Sequence, residues 1–453
     1  MNDTFSDDAR PRRQLIQDAD RVADVELKHQ RVRQLLAATG ADALLLQDPA
    51  NIAWFAAGAD MTRGGSESCQ TSVFVTEDAR LFATNSVDST LIFEREAFGL
   101  GFQLKQREWF QPHSELIDDL TRGRRVISDT CVEGTRGASR RIAQIRLPLT
   151  ALEVTRLKKL CSVVVHAVEA TAVNIRSGQT EASVAGEVAH RLIKRTVTPV
   201  RIQVAADGRN LRYRHWPYSE DPIESYATVC CVARRWGLHA AVARTVAIDR
   251  IPPELWEAHQ KAVLIHATGM FFSRNEESVR ALWPRVQRIY EKFNIPCEWQ
   301  LSDQADVMGY RSSEVQLTPD GDHVLQAPSA VFWHPSVGMA MPGDMVLISE
   351  TGTESLTRST MWPELEVRVK GRDVPCCGIL RTARTGDSAS ELTTSPQNPK
   401  TGDETGDSAE FVLMSNSGTH DRVDSIWEME LAAGGRSVLE GDESQFSGES
   451  VLD

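Results

Sequence analysis

The sequence predicts an α/β unit followed by a larger α+β domain that is built from two similar halves. In residues 21–135, short apolar runs alternate with helical patterns, which is the order expected of an α/β unit. In residues 150–380, two helical patterns followed by strand-like runs occur twice, which indicates a pseudo-duplicated α+β domain around a central sheet. Residues 384–453 change composition and predict an acidic, disordered tail.

Charge and length narrow the functional class. A chain of 453 residues is long enough for two or more domains. Its net charge of −13 is concentrated in residues 385–453, which hold 15 acidic and 3 basic side chains. Because the remaining chain is close to neutral and has no run of about 18 apolar residues, we expect neither a nucleic-acid partner nor a membrane partner.

The cysteines favour a reduced, cytoplasmic protein. The eight cysteines include two adjacent pairs, Cys230 with Cys231 and Cys376 with Cys377. Such pairs do not resemble a disulfide framework, and no C-x-x-C zinc spacing is present.

Residues 1–20 are polar throughout, so they lack the apolar core of a signal peptide and are predicted to form a flexible tail.

The acidic tail contains two apolar islands. Ser, Thr, Gly, Asp and Glu dominate residues 384–453, and TGD recurs at 385, 401 and 405. Such a segment buries too little apolar surface to offset the entropy of ordering it. The islands are FVLM (411–414) and IWEMEL (426–431). They are either apolar residues that occur by chance or dock loosely on the rest of the chain, or a short motif that binds an unknown partner.

The first unit begins with a helical pattern that ends at Gly40. The segment ADALLLQDP that follows is typical of a buried strand. We interpret NIAWFAAG, SVFVTEDARLFAT and RRVISDT as further strand-forming segments, connected by helices over 86–97 and 112–121.

The second unit begins with a capping box formed by Thr150 and Glu153, followed by a helix that stops before Gly178. Further helices are predicted over 180–194, 253–272 and 277–293. Between the two helix pairs, the runs 227–233 and 240–246 flank Gly237 and predict a β-hairpin.

Two long segments carry a resemblance to a known family. ELKHQRVRQLLAATGADALLLQDPANIAWFAAG resembles the start of creatinase and prolidase-type proteins, a superfamily that includes the Xaa-Pro aminopeptidases. TALEVTRLKKLCSVVVHAVEATAVNIRSGQTEASVAGEVAHRL is similar to the first helices of their pita-bread domain. The resemblance implies a creatinase-like α/β domain over residues 21–147 and a pita-bread α+β domain over residues 148–383.

The resemblance also identifies the positions of the family's metal ligands. Active peptidases of the family hold two divalent ions (Mn, Co or Zn) with two Asp, one His and two Glu. In this sequence those positions fall on Cys230, Ala241, Asp306, His334 and Gly343. A methyl group cannot bind a cation, and a thiolate does not bridge two oxygen-preferring ions as a carboxylate does. We therefore expect no metal cofactor of the usual kind. An alternative register places the two Glu at Glu350 and Glu364 but restores neither Asp.

Other family positions retain polar side chains. His215 matches a histidine that contacts substrate in the peptidases and that is the catalytic base of creatinase, a metal-free member. The alternative is that His215 is a structural residue. Glu314 matches the Glu of the family's second His-Glu pair, although Ser313 stands at the position of the His. Glu314 is a second catalytic candidate, or else an ordinary ion-paired carboxylate. Tyr310 and His334 are candidate substrate contacts. Cys230, Asp306 and His334 would, if they converge, form a single-metal site with mixed ligands.

The expected function follows from these positions. The first hypothesis is a protein that has lost dinuclear peptidase activity and binds a peptide or a small amide, or serves as a scaffold. The alternative is metal-free, creatinase-like C–N hydrolysis with His215 as the base. A second alternative is an active Xaa-Pro peptidase with a rearranged metal site. The resemblance also implies a homodimer.

Overall fold

The computed structural model describes residues 17–63 and 69–383. The predicted tail over 384–453, with both apolar islands, and residues 1–16 of the predicted N-terminal tail lie outside the described residues. The first helix begins at Ala19, where the Asp18 side chain accepts a hydrogen bond from the Arg21 amide as an N-cap. The helix therefore includes the last two residues of the segment predicted as a tail.

The N-terminal elements form a mixed, six-stranded sheet with the order β4-β3-β2-β1-β5-β6. The central strand β1 pairs antiparallel with β2 and parallel with β5, and its four residues are all buried. A π-helix, Ile92–Glu96, precedes β4. The elements are α1 (Ala19–Thr39), β1 (Ala43–Leu46), α2 (Pro49–Phe55), β2 (Ser72–Thr76), β3 (Arg80–Asn85), α3 (Ser89–Leu91), β4 (Gln103–Arg107), α4 (His113–Thr121), β5 (Val126–Ser128), β6 (Thr135–Gly137) and α5 (Ser139–Arg146).

The segment NIAWFAAG forms most of a helix, so the prediction of a strand there was wrong. Asp48 accepts hydrogen bonds from the amides of Ala50 and Asn51, and Pro49 occupies the first turn. Pro is favoured there because its missing N–H has no partner in the first turn anyway. Residues 51–55 are buried on every side, so the segment lacks the alternation of polar and apolar residues that distinguishes an amphipathic helix.

The C-terminal elements follow the predicted order of two helices and then strands, twice. The capping box at Thr150 and Glu153 is present, and β10 is preceded by a short 3₁₀ helix, Glu298–Leu301. The elements are α6 (Ala151–Ala172), α7 (Glu181–Ile193), β7 (Thr198–Ala206), α8 (Arg209–Arg212), β8 (Tyr226–Arg235), β9 (Leu238–Ile248), α9 (Pro253–Phe272), α10 (Val279–Lys292), β10 (Ala305–Met308), β11 (Val315–Gln316), β12 (Ser329–Trp333), β13 (Asp344–Ser349), β14 (Gly352–Ser355), β15 (Glu364–Val369), β16 (Arg372–Cys377) and β17 (Ile379–Thr382).

Two sheets form the centre of this part of the molecule. One has the order β17-β9-β8-β7 and the other β11-β10-β12-β13-β14. They meet where the Ala243 amide donates to the Gly343 carbonyl at 3.0 Å. The predicted hairpin is β8 and β9, joined by a two-residue turn at Trp236 and Gly237 with φ of 53° and 74°. Positive φ at both turn residues matches the twist of the flanking strands.

A buried charge cluster joins the N-terminal elements to the C-terminal ones. The fully buried Lys28 ammonium on α1 lies 2.6 Å from carboxylate oxygens of Asp24 and Glu153. The Tyr310 hydroxyl donates to Glu153 at 2.7 Å. The cluster therefore ties α1 to α6 and to the loop after β10. No helix in residues 17–63 and 69–383 is both long and apolar enough to cross a membrane.

Candidate functional site

The hairpin places Cys230 and Ala241 on the same buried face. Cys230 lies opposite Ala243, and Val232 lies opposite Ala241, so these four residues face the same side. Cys230 is 2% exposed and Ala241 is fully buried. Burial raises the pKa of the Cys230 thiol to about 11; Arg201 opposes this change and Asp303 adds to it. Neither residue offers an anionic ligand at neutral pH.

The position matched to the family's second Glu is filled by close packing. A Cβ added at Gly343 would lie 2.8 Å from the Ala243 Cβ and 3.0 Å from the Phe332 ring. Contacts this short require the backbone or the ring to move, so an acidic side chain has no room there. The Met345 thioether is also close, since it accepts a hydrogen bond from the Ala241 amide at 3.1 Å.

The family's dinuclear metal centre therefore does not fit these residues. Cys230, Ala241 and Gly343 provide no carboxylate, and apolar side chains pack beside them. In the alternative register, Glu350 accepts a hydrogen bond from Asn275 at 2.9 Å, and Glu364 forms two hydrogen bonds with Arg358. These contacts do not supply the two missing Asp ligands.

Three ligand-type side chains do converge: Asp303, Asp306 and His334. Their side-chain ligand atoms all lie within 4.8 Å of one another. The His334 Nε2 atom is 3.2 Å from Asp306 Oδ2 and 4.0 Å from Asp303 Oδ2. His215 joins the group from its exposed side, with Nε2 2.7 Å from Asp303 Oδ1. We call these four residues the Asp–His cluster.

Strand pairing explains why Asp306 and His334 meet. Asp306 on β10 lies opposite Phe332 on β12, and the His334 amide continues the ladder by donating to the Gln304 carbonyl at 2.9 Å. Residues two apart in a strand share a face, so Asp306 and His334 project to the same side of the sheet. The His334 ring stacks on Phe332 with 4.7 Å between ring centroids, which fixes its orientation.

His215 forms a partly exposed histidine–carboxylate pair. Its side chain is 50% exposed, whereas that of Asp303 is 17% exposed. The hydrogen bond with Asp303 raises the pKa of His215, against the opposing effect of partial burial. Burial alone would raise the pKa of Asp303, but the hydrogen bond from His215 and the charge of His334 outweigh it and hold that pKa below its usual value.

Glu314 and Tyr310 lie instead in the contacts between the two parts of the chain. The Glu314 carboxylate forms a bidentate pair with Arg146 on α5, and its Oε1 atom accepts hydrogen bonds from the Tyr310 and Arg311 amides. The Tyr310 ring is buried against Gly237, and its hydroxyl is bonded to Glu153. Their catalytic and substrate-binding roles remain predictions, and every contact named here is structural.

Two residues that the sequence did not single out belong to this region. Asp303 contributes to the Asp–His cluster, and the charge of Arg201 acts on both His215 and Cys230. The D-x-x-D spacing of Asp303 and Asp306 was a usable signal for the first of them. Arg201 had no local signal, because strand pairing alone brings β7 next to β8.

A groove of about 320 Å³ lies between α7 and β7. In the described part of the chain, β7 is the last strand of its sheet, and residues 199–202 of β7 line this groove. Small side chains on α7 leave the space open, and the charge of Arg201 in its lining also acts on His215. The lining residues are Ala182, Ala185, Gly186, Ala189, Pro199, Val200, Arg201, Ile202 and Tyr218.

Comparison with known proteins identifies the fold by structure and not by sequence. No protein-family model matches the chain, and no curated protein matches it. An Xaa-Pro dipeptidase from Bacillus anthracis superposes with a TM-score of 0.64 at 18% identity, covering 74% of this chain and 98% of that one. The dipeptidase PepE from Mycobacterium ulcerans superposes with a TM-score of 0.64 at 13% identity, covering 80% and 99%.

A third solved structure carries no peptidase name. The N-terminal domain of the FACT complex subunit SPT16 from Cicer arietinum (chickpea) superposes with a TM-score of 0.59 at 11% identity, covering 76% of this chain and 98% of that domain. At such identities the likeness establishes the fold alone. The resemblance inferred from the sequence is confirmed at that level, and the chain has the two-domain, pita-bread fold of the creatinase and prolidase superfamily.

Proposed function

We propose that this protein binds a peptide or a small amide beside His215 and has no dinuclear metallopeptidase activity. The observation that carries the proposal is the packing at the expected metal centre. Cys230 and Ala241 are buried there, the Ala241 amide donates to the Met345 thioether, and Gly343 packs against Phe332. Without two bound metal ions, no water molecule acquires the lowered pKa that it needs to attack a peptide bond.

The groove between α7 and β7 supports a peptide or amide ligand. An extended peptide can pair with the outer edge of a terminal strand, and Arg201 offers a cation for a ligand carboxylate. His215 is half-exposed and offers a ring nitrogen to a ligand carbonyl or amide, and the charge of Arg201, which lines the groove, also acts on it. The fold also occurs in a domain named as part of a multi-subunit complex, which agrees with a binding or scaffolding role.

The test combines metal content, turnover and binding on the full chain. The purified protein is incubated with Xaa-Pro dipeptides and added Mn²⁺ or Co²⁺. We expect no hydrolysis, and we expect calorimetric binding of at least one member of an Xaa-Pro peptide and small-amide panel. His215→Ala should weaken that binding about tenfold, while His323→Gln, a half-buried histidine elsewhere, should not. Two ions per chain together with turnover would overturn the proposal, as would failure to bind any member of the panel.

A second candidate is metal-free C–N hydrolysis with His215 as the general base. The observation in its favour is the Asp303–His215 pair, because a carboxylate on one ring nitrogen orients the other nitrogen toward substrate. This candidate predicts that the protein hydrolyses a small amide. The turnover should persist in the presence of chelators and be abolished in His215→Ala. Turnover that is unchanged in that variant rules it out.

Three further expectations belong to this proposal. We propose a cytoplasmic location, which agrees with the finding that all eight cysteines are free. We propose a homodimer, which sedimentation of the full chain would test. We also propose that the acidic tail binds a separate partner.

A further inference from the structure

We propose that Asp303, Asp306 and His334 form a binding site for one divalent transition-metal ion, of the class that zinc represents. An imidazole nitrogen with two carboxylate oxygens is a ligand set that such ions accept. The inference goes beyond the proposed function, because it concerns one ion held by a different ligand set. Asp303 matches none of the five family ligand positions, and Asp306 and His334 stand where the family has a different residue type.

The distances fit a single ion with little movement. Ligands about 2.1 Å from a tetrahedral ion lie about 3.4 Å from one another. The His334 Nε2 atom is 3.2 Å from Asp306 Oδ2 and 4.0 Å from Asp303 Oδ2. The first separation is close to the required value, and the second exceeds it by about 0.6 Å. The ligand atoms therefore already stand near the spacing that one ion requires.

Neighbouring groups orient both carboxylates toward His334. The Ser313 hydroxyl donates to Asp306 Oδ1 at 2.5 Å, which leaves Oδ2 directed at the histidine. His215 holds Asp303 Oδ1 at 2.7 Å and leaves that Oδ2 directed at the same ring nitrogen. Ligating carboxylates in metal sites are commonly held by such outer hydrogen bonds, because these fix the side chain in its binding orientation.

The site is buried on one side and open on the other. Asp306 is 7% exposed and His334 is 3% exposed, so most of their solvation is already lost. Ser313 is exposed and His215 is half-exposed, which gives an ion a route from solvent. A cation also offsets the mutual repulsion of two nearby carboxylates. Three protein ligands leave a coordination position for water or for a ligand atom.

The experiment titrates chelator-stripped full chain with ZnCl₂ by calorimetry. The exposed thiols of Cys131 and Cys297 are replaced by serine in every protein, since surface thiols also bind zinc. We expect one ion per chain in the parent protein. Asp306→Asn and His334→Gln should each weaken that binding at least tenfold. Asp320→Asn and His323→Gln, matched substitutions outside the cluster, should leave it unchanged.

Two further measurements keep the outcome decisive. Ser313→Ala changes an exposed side chain and should weaken binding about tenfold even where a buried ligand variant fails to fold. The absorption spectrum of the Co²⁺-loaded protein should lack thiolate charge-transfer bands, because Cys230 is not a ligand. Zinc binding no stronger in the parent than in Asp306→Asn would overturn the proposal. Thiolate bands that persist in the serine background would overturn the ligand set.

The result is independent of the peptide-binding test. An absence of zinc binding leaves the proposed peptide or amide site untouched. Conversely, two ions with Xaa-Pro turnover refute the proposed function, and the Asp306→Asn comparison still reports on this site separately.

Discussion

Arg146 and Glu314 form a buried ion pair that connects the last helix of the N-terminal elements to the loop before β11. Both side chains are 3% exposed, and Arg146 Nε lies 3.1 Å from Glu314 Oε1. The Arg146 guanidinium also donates to the Asn51 side chain. The pair therefore positions the loop after β10 against the N-terminal sheet domain.

Glu314→Gln is expected to destabilise the fold by about 3 kcal/mol. Removing one partner leaves the other charge buried without compensation, which is far more costly than losing an exposed pair. Denaturant-induced unfolding followed by tryptophan fluorescence measures the change. The control is Asp373→Asn, whose partner Arg368 is 3.9 Å away on the surface. That change should stay within about 0.5 kcal/mol. Equal effects of the two substitutions would contradict the structural role assigned to Glu314.

Gly269→Ala in α9 is expected to lower stability by about 1–3 kcal/mol, although alanine favours helices. The added Cβ would lie 2.5 Å from the Trp333 ring, which is fully buried and donates a hydrogen bond to Ser273. Gly186→Ala in α7 is the matched control, since its Cβ meets nothing within 4 Å. We expect that variant to gain about 0.5–1 kcal/mol. Thermal unfolding compares the two, and a stabilised Gly269→Ala would refute the packing argument.

The native protein should react with iodoacetamide first at Cys131 and Cys297. These thiols are exposed, whereas Cys230 is buried and burial raises its pKa to about 11. Thiolate, not thiol, is the nucleophile, so both access and ionisation protect Cys230 at neutral pH. Mass spectrometry after short exposure at pH 7.5 identifies the modified sites. Early modification of Cys230 would mean that the thiol is a reactive group and not a packing residue.

Stability is expected to fall as the pH drops from about 6.5 toward 4. Burial lowers the pKa of His239, His259 and His266 to about 4 each. The unfolded chain therefore binds protons at a higher pH than the folded one. The contribution of these three histidines to the stability of the fold is fully present above their pKa in the unfolded chain and is lost as the pH falls below it. Each ring changes the free energy of unfolding by up to about 1.4 kcal/mol per pH unit in that window.

His259→Gln tests this pH dependence. The His259 Nε2–H donates to the Cys377 carbonyl at 3.1 Å, and an amide can replace that donor. Denaturant unfolding at pH 7, 6 and 5 should show a slope that is smaller in the variant by up to about 1.4 kcal/mol per pH unit. A slope identical to that of the parent would show that His259 does not titrate in this range.

Local patterns in the sequence predicted many of the elements. The capping box at Thr150, the helix over Pro253–Phe272 and the hairpin turn at Gly237 each depend on residues close in sequence. The strand predicted at NIAWFAAG failed because complete burial removes the amphipathic pattern from a helix.

The sequence by itself determined the order of helices and then strands, twice, in the C-terminal elements and the absence of carboxylates at Cys230, Ala241 and Gly343. Those statements need only residue identities and local periodicity. The tertiary structure alone decided that Asp303 faces His334 and that Glu314 pairs with Arg146 across 168 positions of the chain. Contacts of that range follow from strand pairing and domain packing, and no local pattern of residues encodes which distant partner a side chain meets.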